Sequence, residues 1–320
     1  MPGVVLQPLN LGELLDRMFS LYRKNFLLFF GIMLLPSLLA MVWGILMAVL
    51  HAPAITPRAG SSAISLTLIS GAVGGFVAVL IAYWIVYALA LGASTFAVAD
   101  VYLGRTATIA ASYRRIRGRI GRLLWLMVLV TVRVIGIIVL MSLGLALLMP
   151  TMISRGPMAG VAALLVMLVL FPVIFVLMVW LILRYSVSIP SLVLEDVRAG
   201  QAIRRSVQLM KGNYLRCFLL LLLTVIITYV TLAVFQGPFY VAMILTARHG
   251  QVASWLLSLS SVFGALGQAL SAPLIMIGLV LLYYDIRVRK EAFDLQLMMA
   301  LVDQAGVQPA PGAAAPAAST

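Results

Sequence analysis

Residues 20–30 read SLYRKNFLLFF, a cationic, amphipathic stretch that turns at Phe26 into an unbroken apolar run. The same grammar returns at residues 112–129, SYRRIRGRIGRLLWLMVL, and at residues 206–223, SVQLMKGNYLRCFLLLLL. Lys24, Gly118 and Gly212 hold equivalent places, each 94 residues from the next. A constant spacing of this kind marks an internal repeat, with units at about 10–104, 105–198 and 199–292. Each unit opens on an amphipathic helix. In the first, Leu11, Leu14, Leu15, Met18 and Leu21 or Tyr22 make an apolar stripe opposite Glu13, Arg17, Ser20 and Lys24. Ile109, Tyr113, Ile116 and Ile120 repeat the spacing in the second, and Ile203, Val207 and Met210 in the third. Asn10 with Glu13 forms a capping-box pattern.

A helix with one apolar and one cationic face is stable in the plane of lipid headgroups. The expectation is therefore an interfacial elbow in each unit, with Gly or Asn supplying the left-handed turn into a membrane span. Each unit then forms a helical hairpin that returns to an acid: Asp100, Asp196 and Asp285.

Composition agrees. With 64% hydrophobic and 10% charged residues and a mean hydropathy of +1.15, the chain cannot present a water-exposed globular surface. Apolar runs long enough to cross about 30 Å of hydrocarbon occur at 26–50, 64–98, 123–149, 160–189, 214–237 and 253–284. The fold class is an all-α polytopic bundle of six spans in one membrane domain, 1–303. The last run contains Pro273 and leaves room for a break near it. Residues 304–320 form an Ala/Pro-rich tail with nothing to bury, expected to be disordered.

Seventeen of the 22 basic residues fall before span one, between spans two and three and spans four and five, or after span six. Short loops rich in Lys and Arg stay cytoplasmic, so both termini are expected inside, at the bacterial inner membrane. The formal charge of +13 then reads as topology and attraction to anionic headgroups, not as a nucleic-acid footprint. A signal peptide fits poorly: the first apolar run starts late, is long, and follows Glu13 and Asp16. Cys217 is the only cysteine; it reads as a small core residue, with no intrachain disulfide possible.

LGELLDRMFSLYRKNFLLFFGI at 11–32, AIRRSVQLMKGNYLRCFLLLLL at 202–223 and LLYYDIRVRKEAFDLQ at 281–296 together resemble the glycerophosphoryl diester phosphodiesterase membrane-domain family. The resemblance implies a bacterial integral membrane protein. In some members such a domain precedes a catalytic phosphodiesterase barrel; the residues after Asp303 read as a tail, and the resemblance is expected to carry over no catalytic residue.

The residues themselves point away from chemistry. Phosphodiester hydrolysis of the barrel type needs acid/base histidines beside clustered carboxylate metal ligands. The two histidines, His51 and His249, fall in outward loops, and all nine acids fall on the opposite face. No catalytic, cofactor or metal residue is therefore expected, and the partners are membrane lipids, anionic headgroups in particular, or unidentified proteins. The candidate headgroup contacts are Arg17, Arg23, Lys24, Arg114, Arg115, Arg117, Arg204, Arg205 and Lys211. Two arginines inside apolar runs form the candidate intramembrane polar site. Arg133 is expected near mid-depth and needs a partner, either backbone carbonyls or a substrate in a midplane cavity. Arg184 is expected to snorkel or to meet Glu195. Pro36, Pro172 and Pro273 free backbone carbonyls within spans. A scaffold or accessory protein heads the readings, with a transporter or lipid-handling protein as the alternative.

Overall fold

The computed structural model describes residues 9–51, 66–153, 157–247 and 254–291, and among them every regular element is helical. Six long helices, α2 (Phe26–His51), α3 (Leu66–Tyr102), α5 (Ile120–Ile153), α6 (Pro157–Tyr185), α9 (Tyr214–Ala247) and α10 (Ser254–Glu291), are long and apolar enough to span a membrane. Four short ones, α1 (Leu11–Lys24), α4 (Ile109–Ile116), α7 (Ser188–Glu195) and α8 (Ala199–Met210), gather at one end of the bundle. Alternating spans put the start of α2, α5 and α9 and the finish of α3, α6 and α10 at that same end. It collects most of the charge, and we call it the basic end.

The hub is α10. Of its most apolar 18-residue stretch 72% is buried, against 28% or less for every other span. It packs most extensively on α2 and α9, and also on α1 and α3. Lipid tails are as apolar as leucine, so packing inside a membrane is won by close approach of small residues. The run from Gly264 to Gly278 supplies them. A Cβ on Gly278 would stand 2.9 Å from Leu220 and 3.1 Å from the Met18 sulfur. At the other extreme, only 6% of α6's apolar stretch is buried; its outward leucines and valines form lipid-facing surface.

The order short helix, long helix, long helix recurs three times. Asn25 and Asn213, 188 residues apart, each donate a side-chain N–H to the carbonyl four residues back, Leu21 and Leu209. Order alone does not make the units copies, because α7 occurs only in the second and the joints differ. The left-handed turn expected at every elbow is present only at Gly212, with φ 80°. Asn25 has φ −124°, and Gly118 lies in a 3-10 turn, Arg117–Arg119. At both, helical hydrogen bonding runs almost unbroken into the span, so no reversal is needed.

The apolar stripes also behave differently from the elbow expectation. Leu14, Met18 and Ile116 are buried in protein, as are Ile203, Leu209 and Met210. The stripes pack down on the hairpins because the chain already supplies an apolar floor there. The expected capping box at Asn10 and Glu13 is present, and Cys217 is buried beside Ser186.

Each of three short helices lends a hydroxyl to a backbone carbonyl of a neighbouring span. Tyr113 donates to Ile32 O at 2.7 Å, the carbonyl orphaned by the missing N–H of Pro36. Tyr22 donates to Leu270 O at 2.7 Å, one residue from the carbonyl orphaned by Pro273. Ser206 donates to Arg184 O at 2.9 Å, at the end of α6, where the last carbonyls lack helical partners. The helix does not break at Pro273, and α10 runs through it. Similarly, α9 passes Pro238 and continues to Ala247, beyond the expected end at 237. The fourth span stops at Tyr185 and hands over to α7, whose burial of Ser188, Pro190, Ser191, Leu192 and Val193 was not legible in the apolar run. His249 and the 304–320 tail lie outside the described residues.

Candidate functional site

Three carboxylate clusters organise the basic end. Asp285, on α10, has a fully buried side chain. It accepts from Leu9 N at 2.8 Å, from Arg216 at 2.8 Å and from Arg289 at 3.1 Å. Both arginines also donate to Leu9 O, at 2.6 and 2.5 Å. The segment entering α1 is thus gripped at N–H and C=O alike, by residues more than 200 positions away.

Glu195 and Glu291 form the second cluster. Arg205 reaches Glu195 at 3.1 Å and Glu291 at 2.5 Å, Arg287 pairs with Glu291 at 3.0 Å, and the buried Tyr283 hydroxyl donates to Glu195 at 2.6 Å. Burial alone would lower the Arg205 pKa, but the hydrogen bond and charge of Glu195, joined by Glu291, raise it instead; the guanidinium stays charged. Lys290 adds a cap on α8, donating to the carbonyls of Gln208, Leu209 and Lys211, where a cation also suits the helix dipole.

The third set closes the middle hairpin. Asp100 pairs with Arg115 at 3.1 Å, and Asp196 with Arg119 at 3.1 Å and Arg122 at 2.8 Å. Arg119 also donates to Val193 O. Arg115 and Arg119 both lie over the buried Phe96 ring, 4.6 and 5.3 Å from its centroid. Asp196 has φ 57°, a left-handed geometry that Asp tolerates better than most residues, and the two arginines hold it there. All three acids expected at the returning ends, Asp100, Asp196 and Asp285, therefore bind arginines.

Of the candidate headgroup contacts, Arg115 and Arg205 are consumed by these pairs. Arg17 rests over the Tyr102 ring at 5.3 Å. Arg23, Lys24, Arg114, Arg117, Arg204 and Lys211 are exposed and, among the described residues, in no ion pair. The intramembrane candidates are separate from one another. Arg133 is exposed on α5 and donates to Leu129 O of its own helix at 3.2 Å. Arg184 stacks over Trp180 at 4.8 Å; it does not meet Glu195, which Arg205 and Tyr283 already occupy.

Residues 160–299 match the family model described as the membrane domain of glycerophosphoryl diester phosphodiesterase. That is the family the sequence resembles. No curated protein and no solved structure matches the chain. The matched membrane-domain stretch runs from α6 through α10 and holds both glutamates, Asp285, and the arginines that bind them. The 202–223 and 281–296 motifs lie wholly within it, whereas the 11–32 motif lies outside it.

Two features escaped sequence reading. One is the network around Tyr283; its trace in sequence was the Asp285–Arg289 and Arg287–Glu291 spacing, four apart on one helix face. The other is a crevice between α2, α3, α9 and α10, largely apolar but with glutamine and serine in its wall, in two parts of about 440 and 330 Å³ that share Gln236 and Ser261. Gln268 and Tyr83 also line it. Isolated glutamines in long apolar runs were its only signal.

Proposed function

We propose that this protein is a non-enzymatic scaffold or accessory protein of the bacterial inner membrane, with both termini and the basic end cytoplasmic, working through anionic lipids and protein partners. One observation carries the reading. Five carboxylates of the basic end, Asp100, Glu195, Asp196, Asp285 and Glu291, are spent on arginines that hold the short helices to the bundle, Glu13 is spent on the α1 cap, and a surplus of exposed basic side chains over the exposed Asp16 is left outward. A carboxylate held between guanidiniums is a poor general base and a poor metal ligand, whereas exposed Lys and Arg beside a membrane attract anionic lipid. The test is an assay of purified protein on glycerophosphodiesters with and without divalent metal. Absence of turnover is expected, and turnover abolished by His51→Ala would contradict the reading.

A second reading, a transporter or lipid-handling protein, draws support from the Gln236 crevice rather than from a cavity at Arg133. Substrate-dependent quenching or protection at Gln236→Cys in proteoliposomes would favour it.

A further inference from the structure

Between the starts of α5 and α8 lies an open groove of about 730 Å³, lined by Arg122, Trp125, Arg198, Gln201 and Arg204 among others, and by no carboxylate. Beside it, Asp196 is shared by Arg122 at 2.8 Å and Arg119 at 3.1 Å. Arg198 and Arg204 are exposed and, among the described residues, in no ion pair. Gathering three guanidiniums against a single, shared carboxylate leaves at least two positive charges unbalanced, an arrangement that calls for an outside anion. Guanidinium suits a phosphate in particular, because its planar fork matches two phosphate oxygens at once.

What lies below the groove narrows the choice. Trp125 stands three residues after Arg122, on the same face of α5, and is 58% exposed. The face continues in steps of seven residues, two helical turns each, through Val132 and Val139, 63% and 51% exposed. From Trp125 to Val139 the stripe runs about 21 Å, enough to cover the roughly 15 Å half-thickness of a hydrocarbon core. Tryptophan at its head fits the boundary between headgroups and chains. A cationic recess above an apolar track has the dimensions and polarity of one phospholipid, and a free phosphate would have no use for the track.

The geometry points to a site for a single glycerophospholipid with an anionic phosphodiester headgroup, its phosphate between Arg198 and Arg204 beside Arg122, and a chain laid along Trp125, Val132 and Val139. This rests on the reading that the basic end meets an anionic leaflet, and adds one discrete lipid to it.

The experiment counts lipids retained by the purified protein, by native mass spectrometry, after exchange into vesicles of phosphatidylglycerol and phosphatidylcholine. One tightly held phosphatidylglycerol is expected. The pair Arg198→Gln and Arg204→Gln should lower its retention about thirtyfold, at the strength of two basic residues near an anionic surface. The pair Arg114→Gln and Arg117→Gln, removing equal charge outside the groove, should change it only severalfold. Trp125→Ala should weaken lipid retention, and added inorganic phosphate should fail to displace the lipid. Should the glutamine pair not fold, Arg204→Lys reads the same contact, and undiminished retention in it overturns the site. Equal losses in both pairs overturn the groove while leaving the broader reading intact. No preference for phosphatidylglycerol in any variant overturns both. Ready displacement by phosphate, with no effect of Trp125→Ala, overturns the lipid assignment in favour of a free-anion site.

Discussion

Tyr113 donates its hydroxyl to the carbonyl of Ile32 at 2.7 Å, and Ile32 lies four residues before Pro36. The proline creates the vacancy and the tyrosine fills it, so a kink-prone position in α2 and a short helix more than 70 residues later are coupled by one bond. Tyr113→Phe should destabilise the protein by about 1 kcal/mol, the scale of hydrogen bonds between membrane helices. In a Pro36→Ala background the alanine N–H satisfies Ile32, and the tyrosine change should cost much less. Thermal unfolding of the four proteins in a double-mutant cycle reads the coupling; additive effects would mean that the tyrosine does not fill a vacancy made by the proline.

A second expectation concerns Asp285. Changing it to Asn leaves the partly exposed Arg216 and Arg289 facing a neutral group, and losing a charge-assisted hydrogen-bond partner costs roughly 1.5–3 kcal/mol. The segment entering α1 should loosen first. Proteolysis near Leu9 should accelerate in Asp285→Asn well before global unfolding, and equal protection in both proteins would contradict the clamp.

Gly212 sits at φ 80° with open space around its absent Cβ. Gly212→Ala should therefore cost about 1 kcal/mol through backbone strain alone, whereas Gly118→Ala, in a right-handed turn, should cost little or stabilise. A comparison of unfolding midpoints distinguishes them, and equal effects would mean that the joints are alike after all.

Much of this architecture was written in hydropathy. The six spans, the short helices before each hairpin and the Asn10 cap follow from periodicity and from local chemistry within a few residues. What sequence could not supply were the choices made by tertiary contact. The stripe of Leu14 and Met18 suits a lipid surface and a protein surface equally, and only the position of α10 decides that it meets protein. Pro273 and Pro238 look like breaks until a neighbour or the helix itself is seen to tolerate them. Arg204 was legible as a headgroup contact, yet Arg122 and Arg198 join it only because α5 and α8 start side by side. Arg205 has the same local character as Arg204 and is instead consumed by Glu195, a partner that no local rule names.

The claim on which the rest depends is that the basic end faces the cytoplasm. A cysteine at Ala111, an exposed position on α4, can be challenged in intact cells with a membrane-impermeant thiol reagent, the buried Cys217 serving as an internal blank. The account predicts no labelling until the membrane is permeabilised, and full labelling afterwards. Labelling of Ala111→Cys in intact cells would put the arginines on the outer face and contradict it.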